Sequence, residues 1–332
     1  MYCEDELYGG FQLRDDVLID LLQSKEVQRL KDIHMAGPAY LLNSAWNETR
    51  YEHSLGVMLL IRKMGGTLEE QIAGLLHDIS HTAFSHLIDF VLDKKEEDFH
   101  EEIKMEMLEH SSLPKILRTY YGYEIHSLLG DDDQWEILEQ KAPDLCADRV
   151  DYTLREVHRY YGTPIEEIHS FLAHLKLNDG HMVVDQVEWG EWFIRQYNKV
   201  VIDFFYEPLG IYSHVMMKQV IALALKQDII KTEDFFESDS ALLKKMSNAN
   251  HAEINQLLNQ LTAETSFQCV DSNEPFDIFH KTKTRFVDPL VLTGETVART
   301  STQSSIAKEE MNQALKRRSE GLYLKIIQGG AQ

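Results

Sequence analysis

The sequence predicts a mainly α-helical fold with a smaller α+β lobe at its C-terminal end. Apolar residues recur at helical spacing between residues 20 and 235, and Thr-x-x-Glu capping patterns precede several of these stretches. From residue 236 onward, β-branched residues and loop-forming Gly, Ser and Thr become more frequent. We therefore expect two domains, a helical core over residues 1–235 and a lobe over residues 236–332.

Capping patterns set the expected helix boundaries in the first domain. Thr49-x-x-Glu52 begins an apolar stretch that stops at Gly65-Gly66, and Thr67-x-x-Glu70 begins the next one. Pro143-Asp144 precedes a long helical pattern that ends at Gly162. A third box, Thr163 to Glu166, places proline at the first helical position.

The sequence of the C-terminal lobe predicts a helix, a strand and a loop. Residues 251–261 (HAEINQLLNQL) predict a helix, residues 281–292 (KTKTRFVDPLVL) a strand, and residues 294–305 (GETVARTSTQSS) a loop. In the helical domain, the polar residues 131–134 predict a solvated turn. We expect the lobe to serve as an interface, a lid or a regulatory region.

Charge and composition exclude several classes of partner. The net charge of -22 at pH 7 argues against nucleic-acid and anionic-membrane surfaces, which need basic patches. The three cysteines, Cys3, Cys146 and Cys269, are isolated, so they predict neither a disulfide framework nor a CxxC metal site. The N-terminal residues are acidic where a signal peptide is basic, and no apolar run approaches the ~20 residues of a membrane span. We expect a cytoplasmic protein with no membrane partner and no nucleic-acid partner.

The adjacent pair His77-Asp78 is the most informative motif. It lies at the end of a predicted helix, and His53 lies on the helix before it. Adjacent helical residues diverge by ~100°, so the pair shares one ion only if that ion lies between their faces. Nitrogen and oxygen ligands together suit a divalent transition metal. The residues therefore predict a metal-dependent hydrolase.

Three ordered motifs resemble a known family. Residues 50–57 (RYEHSLGV), 77–86 (HDISHTAFSH) and 147–152 (ADRVDY) are similar to the HD-domain metal-dependent phosphohydrolases, and more narrowly to the branch containing deoxynucleoside triphosphate triphosphohydrolases. The similarity extends over residues 28–212. The resemblance implies an HD-domain helical core and a homo-oligomer. It also implies hydrolysis of a nucleotide or another phosphorylated small molecule by a metal-activated water.

The resemblance also implies a role for each matching residue. A divalent transition metal (Fe, Mn, Zn, Co or Ni), with Mg²⁺ as a further ion on the substrate phosphates, would be bound by His53, His77, Asp78 and Asp148. The catalytic residues would be His81, His86, Asp89 and His100. The substrate-binding residues would be Arg50, Arg149, Tyr152 and Tyr212.

Structural alternatives exist for these residues. Buried His and Asp need hydrogen-bond partners in any fold. His81, His86 and Asp89 would then form a capping network, and Arg50 would pair with Glu52 or Asp148. Asp151 is expected to pair with Arg155.

Two departures from the branch concern the substrate. Met35 lies where the vertebrate enzyme of this branch reads the sugar 3′-hydroxyl, and residues 204–212 lack the arginines that hold its triphosphate tail. A (deoxy)nucleoside triphosphate triphosphohydrolase is the first choice. A nucleotide phosphomonoesterase, a nucleotide-sensing regulator with little turnover and, more weakly, a cyclic-nucleotide phosphodiesterase are the alternatives. For the basic segments 281–285 and 316–318 we expect a solvated face rather than an effector-phosphate site.

Overall fold

Helices make up most of the chain. The computed structural model describes residues 1–94, 99–131 and 134–328. From the N-terminus the helices are α1 (Asp16–Gln23), α2 (Lys25–Arg29), α3 (Arg50–Lys63), α4 (Leu68–Leu76), α5 (Leu87–Val91), α6 (Phe99–Glu109), α7 (Leu113–Lys115) and α8 (Ile125–Leu129). They continue as α9 (Ala147–Tyr161), α10 (Ile165–His174), α11 (Val187–Asn198), α12 (Pro208–Lys226), α13 (Asp239–Asn248), α14 (Ala252–Gln260), α15 (Thr300–Gln303) and α16 (Ser305–Glu320). The mainly α fold class is confirmed.

Of the three predicted capping boxes, two mark the start of a helix as expected. The Thr49 side chain accepts a hydrogen bond from Glu52 N, and the Glu52 carboxylate accepts one from Thr49 N, so α3 begins with a complete capping box. Thr67 caps α4 in the same way through Glu70 N. The third box is wrong, because Pro164 itself is the extended N-cap of α10 and the Thr163 hydroxyl lies 3.3 Å from the Gln196 side-chain oxygen.

Short strands form three sheets. β1 (Tyr2–Asp5) and β2 (Gly9–Gln12) make an antiparallel hairpin. One sheet has the order β3 (Leu175–Asn178), β4 (His181–Val184), β7 (Leu290–Thr293), β8 (Thr296–Arg299), and another has the order β5 (Ser266–Val270), β9 (Leu322–Gln328), β6 (Ile278–His280).

The C-terminal predictions have mixed outcomes. The helix predicted over residues 251–261 is confirmed as α14. Only the end of the strand predicted over residues 281–292 is extended, as β7, and the preceding residues are irregular. The loop predicted over residues 294–305 is wrong, because it contains β8 and α15; Thr and Val there pair with β7. In the predicted turn at 131–134, residues 132–133 lie outside the described residues.

Main-chain pairing crosses the predicted boundary at residue 236. β4 and β7 run parallel, with Val183 opposite Leu290 and Val184 opposite Val291. The division into two domains stays a prediction. The described strands show that the two parts share one sheet.

Two apolar clusters hold the helices that carry the site. The larger one joins α1, α3, α4, α9 and α11, and its fully buried side chains include Leu18, Leu60, Leu75, Leu154 and Phe193. The second joins α5 to α12, α13 and α14. Burying one such side chain is worth roughly 1.5–3 kcal/mol, so the backbone between the clusters is firmly positioned. None of the described helices combines the length and apolarity needed to cross a bilayer.

Candidate active site

A cavity of about 910 Å³ opens between the helical core and a segment from the C-terminal part of the chain. Its wall brings together residues that the sequence motifs singled out: Arg50, His77, Asp78, His81, His86, His100, Asp148, Arg149 and Tyr152. His53 is fully buried directly behind this wall. The cavity lies within the size range of small-molecule sites, roughly 300–1,000 Å³.

Four side chains, His53, His77, Asp78 and Asp148, lie close enough together that they could hold one metal ion, and we call them the metal-ligand group. His53 Nε2 lies 2.9 Å from Asp148 Oδ1 and 3.8 Å from Asp78 Oδ2. His77 Nε2 lies 3.5 Å from Asp78 Oδ1 and 3.7 Å from Asp148 Oδ1. Helices α3 and α9 and the turn after α4 therefore bring two imidazoles and two carboxylates to one point.

The two imidazole rings of this group are oriented by other hydrogen bonds. His77 Nδ1 donates to the Gly74 carbonyl at 2.8 Å, and its Nε2 atom is buried without a hydrogen-bond partner among the described residues. His53 Nδ1 lies 2.9 Å from Asp151 Oδ2, and Asp151 pairs with Arg155 as the sequence indicated. Such hydrogen bonds commonly fix the tautomer of metal-binding histidines. The orphaned Nε2 atom and the His/Asp donor set fit a divalent transition metal.

The charge balance of the metal-ligand group favours a cation. Burial alone would lower the pKa of His53, but hydrogen bonds to Asp148 and Asp151 outweigh it and raise the pKa to about 10. Burial likewise opposes protonation of His77, and the charge of Asp78 raises its pKa nonetheless. Burial raises the pKa of a carboxyl, but His53 and His77 hold that of Asp148 well below its usual range. The two protonated rings therefore balance the two carboxylates, and a divalent cation that displaces both protons would keep this balance.

A second cluster consists of His81, His86 and His100 with Asp89, and we call it the proton-transfer group after the role that the family resemblance implies. The His81 and His100 rings stack at 4.0 Å between centroids, and His86 lies 4.9 Å from His81. His86 Nδ1 is 3.4 Å from Asp89 Oδ2. Burial, with the positive charge of His86 next, lowers the pKa of His100 to about 3. Burial and the Arg50 charge lower that of His81 as well, so both rings are neutral near pH 7.

A strained turn carries this second group. Phe84 and Ser85 adopt left-handed backbone angles, with φ of 61° and 53°. Such angles are unfavourable for side chains other than glycine and persist only where contacts enforce them. The carboxylate of Asp239 accepts a hydrogen bond from Phe84 N at 2.6 Å and one from His34 N at 3.0 Å. Arg29 donates to the His81 carbonyl at 2.8 Å.

Three of the four expected substrate-binding residues lie on the cavity wall. Arg50 contacts Asp78 Oδ2 at 2.7 Å and Ser85 Oγ at 3.1 Å, rather than Glu52 or Asp148. Arg149 donates to the Gln140 carbonyl at 3.1 Å, so it also holds the loop before α9. Tyr152 lies 6.4 Å from His53, measured between ring centroids.

Tyr212 is the exception. Its side chain is buried in a separate apolar cluster, its hydroxyl donates to the Gln260 carbonyl at 2.9 Å, and it is not among the residues that line the cavity. Further along α12, His214 and Lys218 line the cavity instead. The helical phase of α12 therefore turns Tyr212 away from the site.

Sequence reasoning missed several residues of the wall. Lys104, Glu156, His214, Lys218, Lys281 and Arg285 line the cavity. The expectation of a solvated face holds for Lys281, which is exposed, but it is wrong for Arg318, which is only 2% exposed. Arg285 is half-buried in the cavity wall. The charge run at residues 281–285 was the available signal, but its position in the fold depends on β6 and β7.

Comparisons with known proteins agree with this geometry. A family model described as HD domain matches residues 50–156. The uncharacterized protein YdhJ of Bacillus subtilis is 41% identical over 327 residues, which are 98% of this chain and 99% of that one. The metal-dependent phosphohydrolase cns2 of Cordyceps militaris is 30% identical over 293 residues, 86% of this chain and 83% of the relative.

A solved structure shares the fold. The crystal structure of a phosphohydrolase from Bacteroides thetaiotaomicron covers 99% of this chain and 100% of its own, with a TM-score of 0.65 and 15% identity. The matched segment of the family model contains both histidine groups, and the similarity to cns2 extends over most of both chains. The chain therefore belongs to the HD-domain family of metal-dependent phosphohydrolases.

Proposed function

We propose that this protein hydrolyses nucleotides, and that its main substrates are (deoxy)nucleoside triphosphates, from which it releases inorganic triphosphate. The observation that carries the proposal is the position of Asp78, which joins the two histidine groups in one cavity. Its Oδ1 atom lies 3.5 Å from His77 Nε2 and 3.1 Å from His81 Nε2. A phosphoryl group bound beside Asp78 would have the metal-ligand group on one side and the neutral imidazoles of the proton-transfer group on the other.

The side chains around Asp78 have complementary tasks. His53, His77, Asp78 and Asp148 would hold a divalent ion, which would supply Lewis acidity and make water a nucleophile at neutral pH. Arg50 balances negative charge on the phosphoryl oxygens. His86 is half-buried at the cavity wall, where it gives a proton to the leaving oxygen as the bond from that oxygen to phosphorus breaks. Asp89 orients the His86 ring.

The wall of the cavity supports a polyanionic substrate. Arg50, Lys104, Arg149 and Lys218 line it, which offsets the repulsion of a chain whose net charge is -22. Met35 lines the same cavity, and a thioether is only a weak hydrogen-bond acceptor. We therefore expect turnover to depend little on the sugar 3′-hydroxyl.

The products of a nucleotide panel test the proposal. Purified protein with Mn²⁺ is incubated with nucleoside mono-, di- and triphosphates, and the products are resolved by chromatography beside an Asp148→Ala control. Nucleoside and inorganic triphosphate are expected, and both must be missing with the control variant. Orthophosphate from a mono- or diphosphate would replace this function with a phosphomonoesterase. Tight nucleotide binding without products would replace it with a nucleotide-sensing regulator.

A further inference from the structure

A basic segment from the C-terminal part of the chain reaches the cavity. The segment runs from the end of β6 into the connection to β7, and its residues 279–282 and 284–286 line the cavity. Lys281 and Arg285 thereby bring two positive charges to the cavity. Lys283, between them, is exposed and is not a lining residue.

This segment contacts residues 204–212, which contain no arginine. The Arg285 guanidinium carbon lies 5.5 Å from the centroid of the Phe205 ring, within cation–π distance. Thr282 N donates to the Tyr206 hydroxyl at 3.4 Å. Phe205 and Tyr206 belong to residues 204–212, so a distant part of the sequence supplies a cation where the local sequence has none.

Arg318 is buried near Arg285, and arginine side chains are rarely buried to this extent. It is 2% exposed, and its Nη2 atom donates to the Val201 carbonyl at 3.1 Å. Its Nε and Nη1 atoms have no hydrogen-bond partner, and no carboxylate pairs with it, among the described residues. The charges near it include Arg285, and the hydroxyls of Tyr197 and Tyr152 are also within electrostatic range. A buried cation without a counter-charge is costly, and an anion in the adjoining cavity would offset that cost.

We propose that Arg285 and Lys281, backed by Arg318, bind the distal phosphates of the substrate's polyphosphate tail. The identity of the substrate rests on the proposed function, but the subsite itself is a phosphate-binding site that inorganic triphosphate can probe. The phosphoryl group that reacts would then lie next to the metal-ligand group, and the C-terminal segment holds the phosphoryl groups that do not react. This segment would therefore make the protein bind triphosphates more tightly than monophosphates.

Calorimetric titration of the metal-loaded full chain with inorganic triphosphate and with orthophosphate tests the subsite. Arg285→Gln is expected to weaken triphosphate binding at least about tenfold, the loss typical of one charge-assisted hydrogen bond, and to change orthophosphate binding little. Lys283→Gln removes the same charge from the same segment and is expected to leave both affinities unchanged. Equal loss in the two variants would show a diffuse charge effect and would overturn the subsite.

Two further variants keep the proposal testable if Arg285→Gln folds poorly. Lys281 is exposed, and Lys281→Gln is expected to weaken triphosphate binding severalfold. Arg318→Met is expected to weaken it as well, while the melting temperature of the ligand-free protein stays the same or rises. A merely structural arginine would behave in the opposite way, with a lower melting temperature and unchanged affinity.

The two proposals fail separately. Triphosphate binding that depends on Arg285, in a protein that hydrolyses no nucleotide, would sustain the subsite and refute the proposed function. Hydrolysis to nucleoside and triphosphate with an unchanged KM in Arg285→Gln would sustain the function and refute the subsite. Equal affinity of the wild-type chain for triphosphate and orthophosphate would also refute the subsite.

Discussion

The two histidine groups of the cavity use the same side chain in opposite electrostatic settings. In the metal-ligand group, carboxylates surround the rings and raise the pKa of His53 to about 10. In the proton-transfer group, burial and neighbouring positive charge lower the pKa of His100 to about 3. The rings of His53 and His81 are similarly buried, so burial alone does not separate them.

This difference in pKa indicates which chemical role each histidine group can perform. A histidine held positive beside carboxylates marks a place where a divalent cation can replace protons. A histidine kept neutral beside Arg50 can accept a proton or donate a hydrogen bond, and it does not repel a metal ion nearby. Asp78 stands between them and contacts both groups. Removing one side chain at a time should therefore separate metal binding from turnover.

The largest effect is expected in the metal-ligand group. His77→Ala and Asp148→Ala should lose the bound metal and lower kcat/KM by more than about 10³-fold, because the ion contributes several kcal/mol to transition-state stabilisation. Metal per chain is measured by elemental analysis after dialysis, and folding by circular dichroism. A folded variant that keeps its metal and full activity would contradict the assignment of the group.

The proton-transfer group should lose turnover but not the ion. His86→Ala is expected to lower kcat by about 10²–10⁴-fold, the range for a general acid, with metal content unchanged. His110→Ala is the matched control, because His110 is an exposed histidine on the surface after α6. If His86→Ala released the metal, the two groups would be one site and the comparison would fail.

A smaller effect is expected where the C-terminal part supports the second group. Asp239→Ala leaves the Phe84 and His34 amide groups without their acceptor in a buried place, which should cost about 3 kcal/mol of the free energy of unfolding. It should also lower kcat, because the left-handed turn positions His81 and His86. Denaturant unfolding and kinetics at saturating metal measure the two effects.

Ser247→Ala, an exposed position on the same helix α13, is the control for this variant. An Asp239→Ala protein with normal stability would show that the turn holds its strained angles without this carboxylate.

The family resemblance predicted the metal-ligand group, but not the whole wall. Capping residues and apolar spacing predicted the helices on or beside which His53 and His77 lie, whereas the ligand set itself came from the resemblance of the three motifs. Arg285 and Asp239 reach the site through contacts with residues far away in sequence. No short-range pattern records such contacts.

Helical phase and burial account for the remaining differences. Tyr212 lies in the motif that the family resemblance covers, yet its orientation depends on how α12 packs against α14. Arg318 sits in a basic run typical of a solvated surface, and only the packing of α16 shows that it is buried. Long-range packing, not composition, decides both cases.

Glu156 provides a test at the edge of the metal-ligand group, with the smallest expected effect. Its side chain lines the cavity and is 3% exposed, and its Oε2 atom has no hydrogen-bond partner among the described residues. Burial raises the pKa of Glu156 to about 8, although the charges of His53 and Arg50 oppose the shift. The folded state therefore prefers the neutral acid.

The sign of the pH dependence follows from this preference. A pKa raised on folding contributes stability fully below the unfolded value, near 4.5, and that stability is lost as the pH rises through about 8. Glu156→Gln stays neutral, so its free energy of unfolding relative to wild type should increase by more than about 1 kcal/mol between pH 5 and pH 9. Urea unfolding with chelator present measures this, with exposed Glu253→Gln as the control. Parallel stability curves for Glu156→Gln and wild type would mean that Glu156 is already ionised in the fold, which would add one negative charge near His53.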